Sequence, residues 1–217
     1  MNVTEREIGQ WFEDLKHEHI VLGYGSLLSK DSRERYSNIF TQGIPVTVSG
    51  FERAWVTRSE SEAQTYVGAV PKAEAALNAQ LIPASLNPAL QAREKDYRFV
   101  RVKSHSIIFN DIVSADIDSV FEQLEKCSLW ICETLDCHAP NDEYPVHQTY
   151  VDTCLSGCLE HGGIHEAKAF VEHTKLWDHP RVNDRAMPKY PRSANVKKEV
   201  HQTIDSLLEH IDEERAF

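Results

Sequence analysis

The run Val21-Leu22-Gly23-Tyr24-Gly25-Ser26-Leu27-Leu28 constrains the fold most, because an apolar strand breaks into glycines on either side of a tyrosine and a small hydroxyl residue follows. Such a strand ends in a loop whose backbone stays uncovered, since glycine carries no side chain over its amide and accepts dihedrals closed to other residues. Successive N–H groups at Gly25, Ser26 and Leu27 then converge on a carboxylate or a developing oxyanion, or the motif is a strand-end turn and nothing more.

The rest of the chain reads as short strands with few helices between them. Ile8, Trp11, Phe12 and Leu15 recur at the interval of one helix face behind a Thr4–Glu7 capping box. Pro45 to Arg58, Thr65 to Val70 and Ala76 to Ile82 are β-like, with Gly50 placed as a bulge or barrel corner. Asn87-Pro88 caps a short helix running to about Lys95, which leaves Glu94 at a helix-to-strand junction before a strand from Tyr97 to Phe109. From Ser114 onward, Ile117, Val120, Phe121 and Leu124 form a further helix face, and Leu129 to Cys132 another strand. Val146 to Glu160, Gly163 to His173 and Asn195 to Asp212 read as helices, the last striped by Val196, Val200, Ile204, Leu207, Leu208 and Ile211. This order favours a closed sheet over a doubly wound one, in an α+β chain.

A length of 217 residues with 41% hydrophobic side chains suffices for one substantial core. With no Ser- or Gly-rich linker, the expectation is a single domain over 1–217, with a barrel core at 20–135 and a helical C-terminal part at 140–217. A formal charge of −11 argues against nucleic acid as a partner, because such binding draws on clustered Lys and Arg. No apolar stretch is long enough to span a bilayer, and Met1 to Glu7 is charged rather than signal-like. Five cysteines without small-scaffold spacing fit a reducing compartment, so the expected location is the cytoplasm. Oligomeric state stays open, since no heptad or self-complementary patch is visible.

Gly23-Tyr24-Gly25-Ser26-Leu27, then Val48-Ser49-Gly50-Phe51-Glu52-Arg53-Ala54-Trp55, then Leu90-Gln91-Ala92-Arg93-Glu94-Lys95-Asp96-Tyr97 resemble, in that order, motifs of the γ-glutamylcyclotransferase-like superfamily, including its glutathione-degrading ChaC-type branch. The resemblance covers roughly residues 20 to 110 and, loosely, the helix around Tyr150; the chain beyond Gly163 has no counterpart. Gln91 stands where the family often has an aspartate, which leaves Glu94 in register. The resemblance implies a small mixed β-barrel with packed helices, here with a helical C-terminal extension. It also implies an enzyme without metal or organic cofactor, acting on a small γ-glutamyl compound.

The reaction so implied is an intramolecular aminolysis: the α-amine of a γ-glutamyl group attacks its own γ-carbonyl, releasing 5-oxoproline and an amine, amino acid or peptide. One carboxylate near both nitrogens serves as base and then acid, and the resemblance assigns that role to Glu94. The amides of Gly25, Ser26 and Leu27 then hold the substrate carboxylate or the oxyanion, Tyr24 closes one wall, and Tyr150 lies near the substrate. Read from the residues alone, Glu94 is a solvated glutamate among Arg93, Lys95 and Asp96, a reading the resemblance reverses, and Tyr150 is equally an amphipathic core residue.

Two further features call for weighing. The segment Trp177 to Arg192 gathers Arg181, Arg185, Lys189 and Arg192 with three prolines, so Arg181 and Arg185 either cover the pocket and bind a distal carboxylate or pair structurally with nearby acids. Cys154, Cys158 and His161 offer a metal or thiol reading, against which stands the tendency of free cysteine to be core. A non-catalytic γ-glutamyl-binding or regulatory module on the same fold is the alternative to the enzyme.

Overall fold

Residues 44–83 build the centre of the sheet as one long bent hairpin. In the computed structural model, which describes residues 5–13, 15, 16, 18–109 and 117–214, β2 (Ile44–Ser59) and β3 (Gln64–Pro83) pair antiparallel from Ile44↔Leu81 to Ser59↔Gln64. The two strands expected at 65–70 and 76–82 are therefore one, and its register jumps where Ser49↔Ala76 gives way to Phe51↔Pro71. Opposite that jump Gly50 has φ of 88°, so the expected bulge occurs and a residue without Cβ takes the left-handed conformation at no steric cost.

The bend splits the hairpin into two arms, and the arms meet different neighbours. The first arm pairs with β1 (His19–Gly23) along one edge and with β5 (Ile107–Ile108) along the other. The second takes β8 (Thr174–Lys175) on its β2 edge. Between them runs β6 (Ser128–Thr134), parallel to β1 and carrying β4 (Tyr97–Val102) on its far side. Once β1 has stopped at Gly23, β6 pairs directly with β3 at Glu133↔Ala69. The seven-stranded sheet thus curls back on itself into a small mixed half-barrel, the fold class the residues led us to expect. Closure is tight: the hydroxyls of Thr57 and Thr134 meet at 2.6 Å beside Gly68, where any Cβ would lie 1.8 Å from the Thr134 oxygen.

The helices cover the ends and one side of this sheet. In α1 (Glu5–Glu13) Ile8 is buried, as are Val120 and Leu124 in α4 (Ile117–Glu125). The Thr4–Glu7 capping box, Ser114 and the Ile211 side chain lie outside the described residues. The helix α2 (Lys30–Ser37) has no apolar stripe to announce it; Ser29 caps it by accepting from the Ser32 amide at 3.3 Å. In α3 (Pro88–Arg93) Asn87 accepts from the Leu90 amide at 2.9 Å with proline in the first turn, as its sequence demands. The strand expected from 97 to 109 is broken into β4 and β5 by a 3₁₀ turn at Ser104–Ser106.

The C-terminal part starts with β7 (Val146–His147), so the expected helix begins later, at Gln148. That helix, α5 (Gln148–Glu172), joins the two expected helices end to end across a kink at Gly163, where φ is 67°. The strand β9 (Arg181–Val182) pairs parallel with β7, and α6 (Lys198–Glu214) packs on α5 through buried Ile204 and Leu208. Among the described residues no helix is long and apolar enough to cross a membrane. The five cysteines are free thiols.

Candidate active site

Where β1 stops, Gly25 leads into a single 3₁₀ turn, Ser26–Leu28, whose first internal bond runs from the Leu28 amide to the Gly25 carbonyl at 2.9 Å. The amides of Gly25, Ser26 and Leu27 lie ahead of that bond, at the end where turn N–H groups have no internal acceptor. Two buried guanidiniums hold the carbonyl side of the loop. Arg53 donates to the Tyr24 carbonyl at 3.1 Å, and Arg33 donates to the carbonyls of Leu27 and Leu28 at 3.2 and 3.1 Å. A trans peptide points C=O and the following N–H in opposite directions, so anchoring the Tyr24 carbonyl on Arg53 turns the Gly25 amide the other way.

Arg53 has no solvent exposure and still finds acceptors: Thr174 Oγ1, the carbonyls of Asn78 and Phe170, and Asn78 Oδ1, with the Phe170 ring 3.9 Å away. Burial pulls its pKa down to about 10, which leaves it cationic at neutral pH. Tyr24 holds the barrel seam. Its hydroxyl donates to the Cys132 carbonyl on β6 and accepts from the Ala69 amide on β3 at 3.1 Å.

Glu94 ends α3 and is 9% exposed, because the Tyr97 amide turns back onto its carbonyl at 3.1 Å and folds the junction against β6. Its carboxylate lies 3.6 Å from Arg93 Nε. Burial raises the Glu94 pKa above the ordinary carboxylate range, while the charges of Arg93 and Arg192 and a hydrogen bond with Cys132 oppose the rise. Arg93 is held rigidly, donating to Ser37 Oγ, Ser32 O, Ser32 Oγ and Ser26 Oγ at 2.8–3.3 Å. Glu94 and the Gly25–Leu27 loop are therefore linked through Arg93 and Ser26.

These groups line one cavity of about 30 Å³, together with Tyr24, Tyr66, Tyr97, Cys132, Tyr150, Tyr190 and Arg192. Tyr150 is 3% exposed, with its ring 4.7 Å from Tyr66 and 4.8 Å from Tyr190; its hydroxyl sits beside Gly25, where an added Cβ would approach it to 2.9 Å. Tyr190 donates to Ser26 Oγ at 2.7 Å. The structure thus brings Tyr24, Gly25, Ser26, Leu27, Glu94 and Tyr150 to one place.

Arg181 and Arg185 are not among the cavity's lining residues. Arg185 bridges Asp152 on α5 and Asp205 on α6 at 2.7–2.8 Å, so its charge is spent joining two helices. Arg181 lies on β9, its charge reaching the same Asp205. Asp184 anchors the intervening turn by accepting from the amides of Thr149 and Lys189 and from Thr149 Oγ1. The residues of this segment that reach the cavity are Tyr190 and Arg192, further along. Nothing in their local sequence separates them from Arg181 and Arg185; Tyr66 and Cys132 were likewise hidden among alternating strand residues.

The cysteines of α5 belong to the core. Cys154 and Cys158 are wholly buried, and burial pushes the Cys154 thiol up to about 12 and the Cys158 thiol well above its ordinary value, so neither supplies a thiolate near neutral pH. His161 turns the same way, with Nδ1 against the Gly157 carbonyl and Gln80.

No family model matches the chain, and none of the curated proteins does. Among solved structures it is similar to YkqA from Bacillus subtilis, with a TM-score of 0.52 and 13% identity, over 76% of this chain and 56% of that one. It is also similar to a gamma-glutamyl cyclotransferase (TM-score 0.49, 12% identity, 87% and 98% of the two chains) and to a yeast gamma-glutamyl cyclotransferase specific to glutathione (0.38, 14%, 90% and 96%). The molecule shares the fold of YkqA. At these identities the likeness is one of fold, and this chain spans little more than half the length of YkqA.

Proposed function

We propose that the protein is a γ-glutamyl cyclotransferase in which Glu94 is the general base and then the general acid. The observation that carries this reading is a nine-tenths buried glutamate, its pKa raised by burial, lining the same cavity as the Gly25–Leu27 amides. A carboxylate with a raised pKa takes a proton from the substrate's α-ammonium more readily than an ordinary one. The freed amine attacks the γ-carbonyl, forming the ring C–N bond. The carbonyl electrons move onto oxygen, where turn amides stabilise the charge. As the oxyanion collapses, the bond from the γ-carbon to the leaving nitrogen breaks as Glu94 returns the first proton to that nitrogen; the ring nitrogen then gives its second proton to the Glu94 carboxylate and on to the departing amine, which leaves as an ammonium beside the neutral lactam. No enzyme nucleophile is required, since the attacking amine is tethered to its electrophile and the protein's task is to hold it in place.

On this reading the chain works as a single domain in the cytoplasm on a small molecule, with an acidic surface unsuited to nucleic acid. A cavity of about 30 Å³ has to open before either a substrate or a ligand enters, so it leaves standing a second reading: a binding or regulatory module that senses a γ-glutamyl compound without turning it over. Release of 5-oxoproline by wild type and Glu94→Gln, over glutathione and a panel of γ-glutamyl amino acids and amines, separates the two. Turnover lost in a folded Glu94→Gln supports the enzyme; binding without turnover in wild type supports the module.

A further inference from the structure

The tip of the β2–β3 hairpin reaches the cavity's edge, and there the Glu62 carboxylate takes both terminal nitrogens of Arg192, at 3.0 and 3.2 Å. The Tyr66 hydroxyl donates to the same carboxylate. The Arg192 guanidinium is flanked by the rings of Tyr190 at 5.1 Å and Tyr66 at 5.9 Å, and each partner of the ion pair is 17% exposed. Arg192 lines the cavity; its Nε–H is buried and has no acceptor. The other cation lining the cavity, Arg93, has its terminal nitrogens on Ser26, Ser32 and Ser37 and its Nε beside Glu94.

We propose that Glu62 is a specificity-determining residue: by occupying the fork of Arg192 it denies that fork to a substrate carboxylate, so the pocket selects γ-glutamyl amides whose leaving amine carries no carboxylate. A guanidinium binds a carboxylate strongly through its paired terminal N–H groups, and those are engaged. Two of the five Arg192 donors are on Glu62 and a third is on the Tyr66 hydroxyl at 3.4 Å, and the Nε–H, buried without an acceptor, suits a single neutral acceptor. A leaving group with its own carboxylate has to displace Glu62 or sit beside it, and either costs affinity through like-charge repulsion or loss of the ion pair.

The inference rests on the cyclotransferase reading of the same cavity, and its test keeps the two apart. The full-length protein, Glu62→Gln and Arg192→Gln are compared for kcat/KM on γ-glutamylethylamide and γ-glutamylglycine. Wild type is expected to favour the ethylamide. Glu62→Gln frees the fork and raises γ-glutamylglycine relative to the ethylamide by about tenfold or more, the worth of a charge-assisted pair. Arg192→Gln leaves Glu62 bare and lowers that ratio, a change of opposite sign that general loosening of the hairpin does not produce. A wild-type preference for γ-glutamylglycine, or a ratio unmoved in Glu62→Gln, overturns the proposal. Where Glu62→Gln fails to fold, the direction of change in Arg192→Gln decides. Where no compound is turned over, the catalytic reading falls and the same ratio is read from dissociation constants by calorimetry; equal affinities, or none, then overturn the proposal too.

Discussion

The Tyr24 hydroxyl donates to the carbonyl of Cys132 and so ties the glycine-rich loop at the end of β1 to the strand that lies under Glu94. Together with the bond it accepts from Ala69, this phenol fills the seam that β1 leaves when it stops short of the barrel's closure. Tyr24→Phe keeps the ring and strands a buried amide and carbonyl. A loss of about 2 kcal/mol in urea unfolding, with an unchanged denaturant slope, is the expected result.

Gly25→Ala places a Cβ 2.9 Å from the Tyr150 hydroxyl and equally close to Val67. Activity is expected to fall at least tenfold while Tyr150→Phe alone costs less. Removing the hydroxyl opens part of the space the methyl needs, so the double variant Gly25→Ala/Tyr150→Phe should recover stability relative to the sum of the singles by about 1 kcal/mol. A strictly additive cycle would show that the two residues do not meet.

Burial raises the Glu94 pKa in the folded chain, so the native state holds its proton to higher pH than the unfolded state does. This group therefore lowers stability as pH climbs from the ordinary glutamate range through the raised folded value, and has no effect below that window. Glu94→Gln is expected to be more stable than wild type at neutral pH and equal to it in acid, read from denaturant midpoints across pH. Over the same window the acid limb of kcat/KM in wild type should lie above the ordinary carboxylate range, because the proposed reaction uses the deprotonated carboxylate.

Arg185→Ala removes the cation between Asp152, which is 2% exposed, and half-exposed Asp205. A destabilisation of about 2 kcal/mol is expected, because the Asp152 carboxylate is left buried without its cation. Any change in substrate preference should be smaller than in Arg192→Gln, because Arg185 does not line the cavity.

Much of this site was legible before the fold. The Gly23-Tyr24-Gly25-Ser26 break marks a strand end by backbone chemistry alone, and Asn87-Pro88 sets the start of α3, hence the junction at which Glu94 stands. Gly50 announced the bulge. By contrast α2 carries only polar and charged residues apart from Tyr36 and owes its place to the Ser29 cap and to buried Arg33, so periodicity had nothing to detect. Arg53, Arg33 and Arg93 look like surface cations in sequence; Arg53 and Arg93 are buried because carbonyls and hydroxyls converge on them from segments far apart in the chain, and Arg33 because the nearby carbonyls of Leu27, Leu28 and Thr41 fold over it.

The sequence by itself determined the strand ends, the capped helix and the helix stripes, since these follow from dihedral preference and one-sided burial over a few neighbouring residues. Only the tertiary structure decided that β3 and β6 close the sheet at Ala69 and Glu133, and that Arg192 rather than Arg181 or Arg185 reaches the cavity. Closure depends on a hairpin whose register shifts twice, at Gly50 and between Trp55 and Thr57, and the fate of each arginine on which distant carboxylate meets it first. Neither is encoded within a local window.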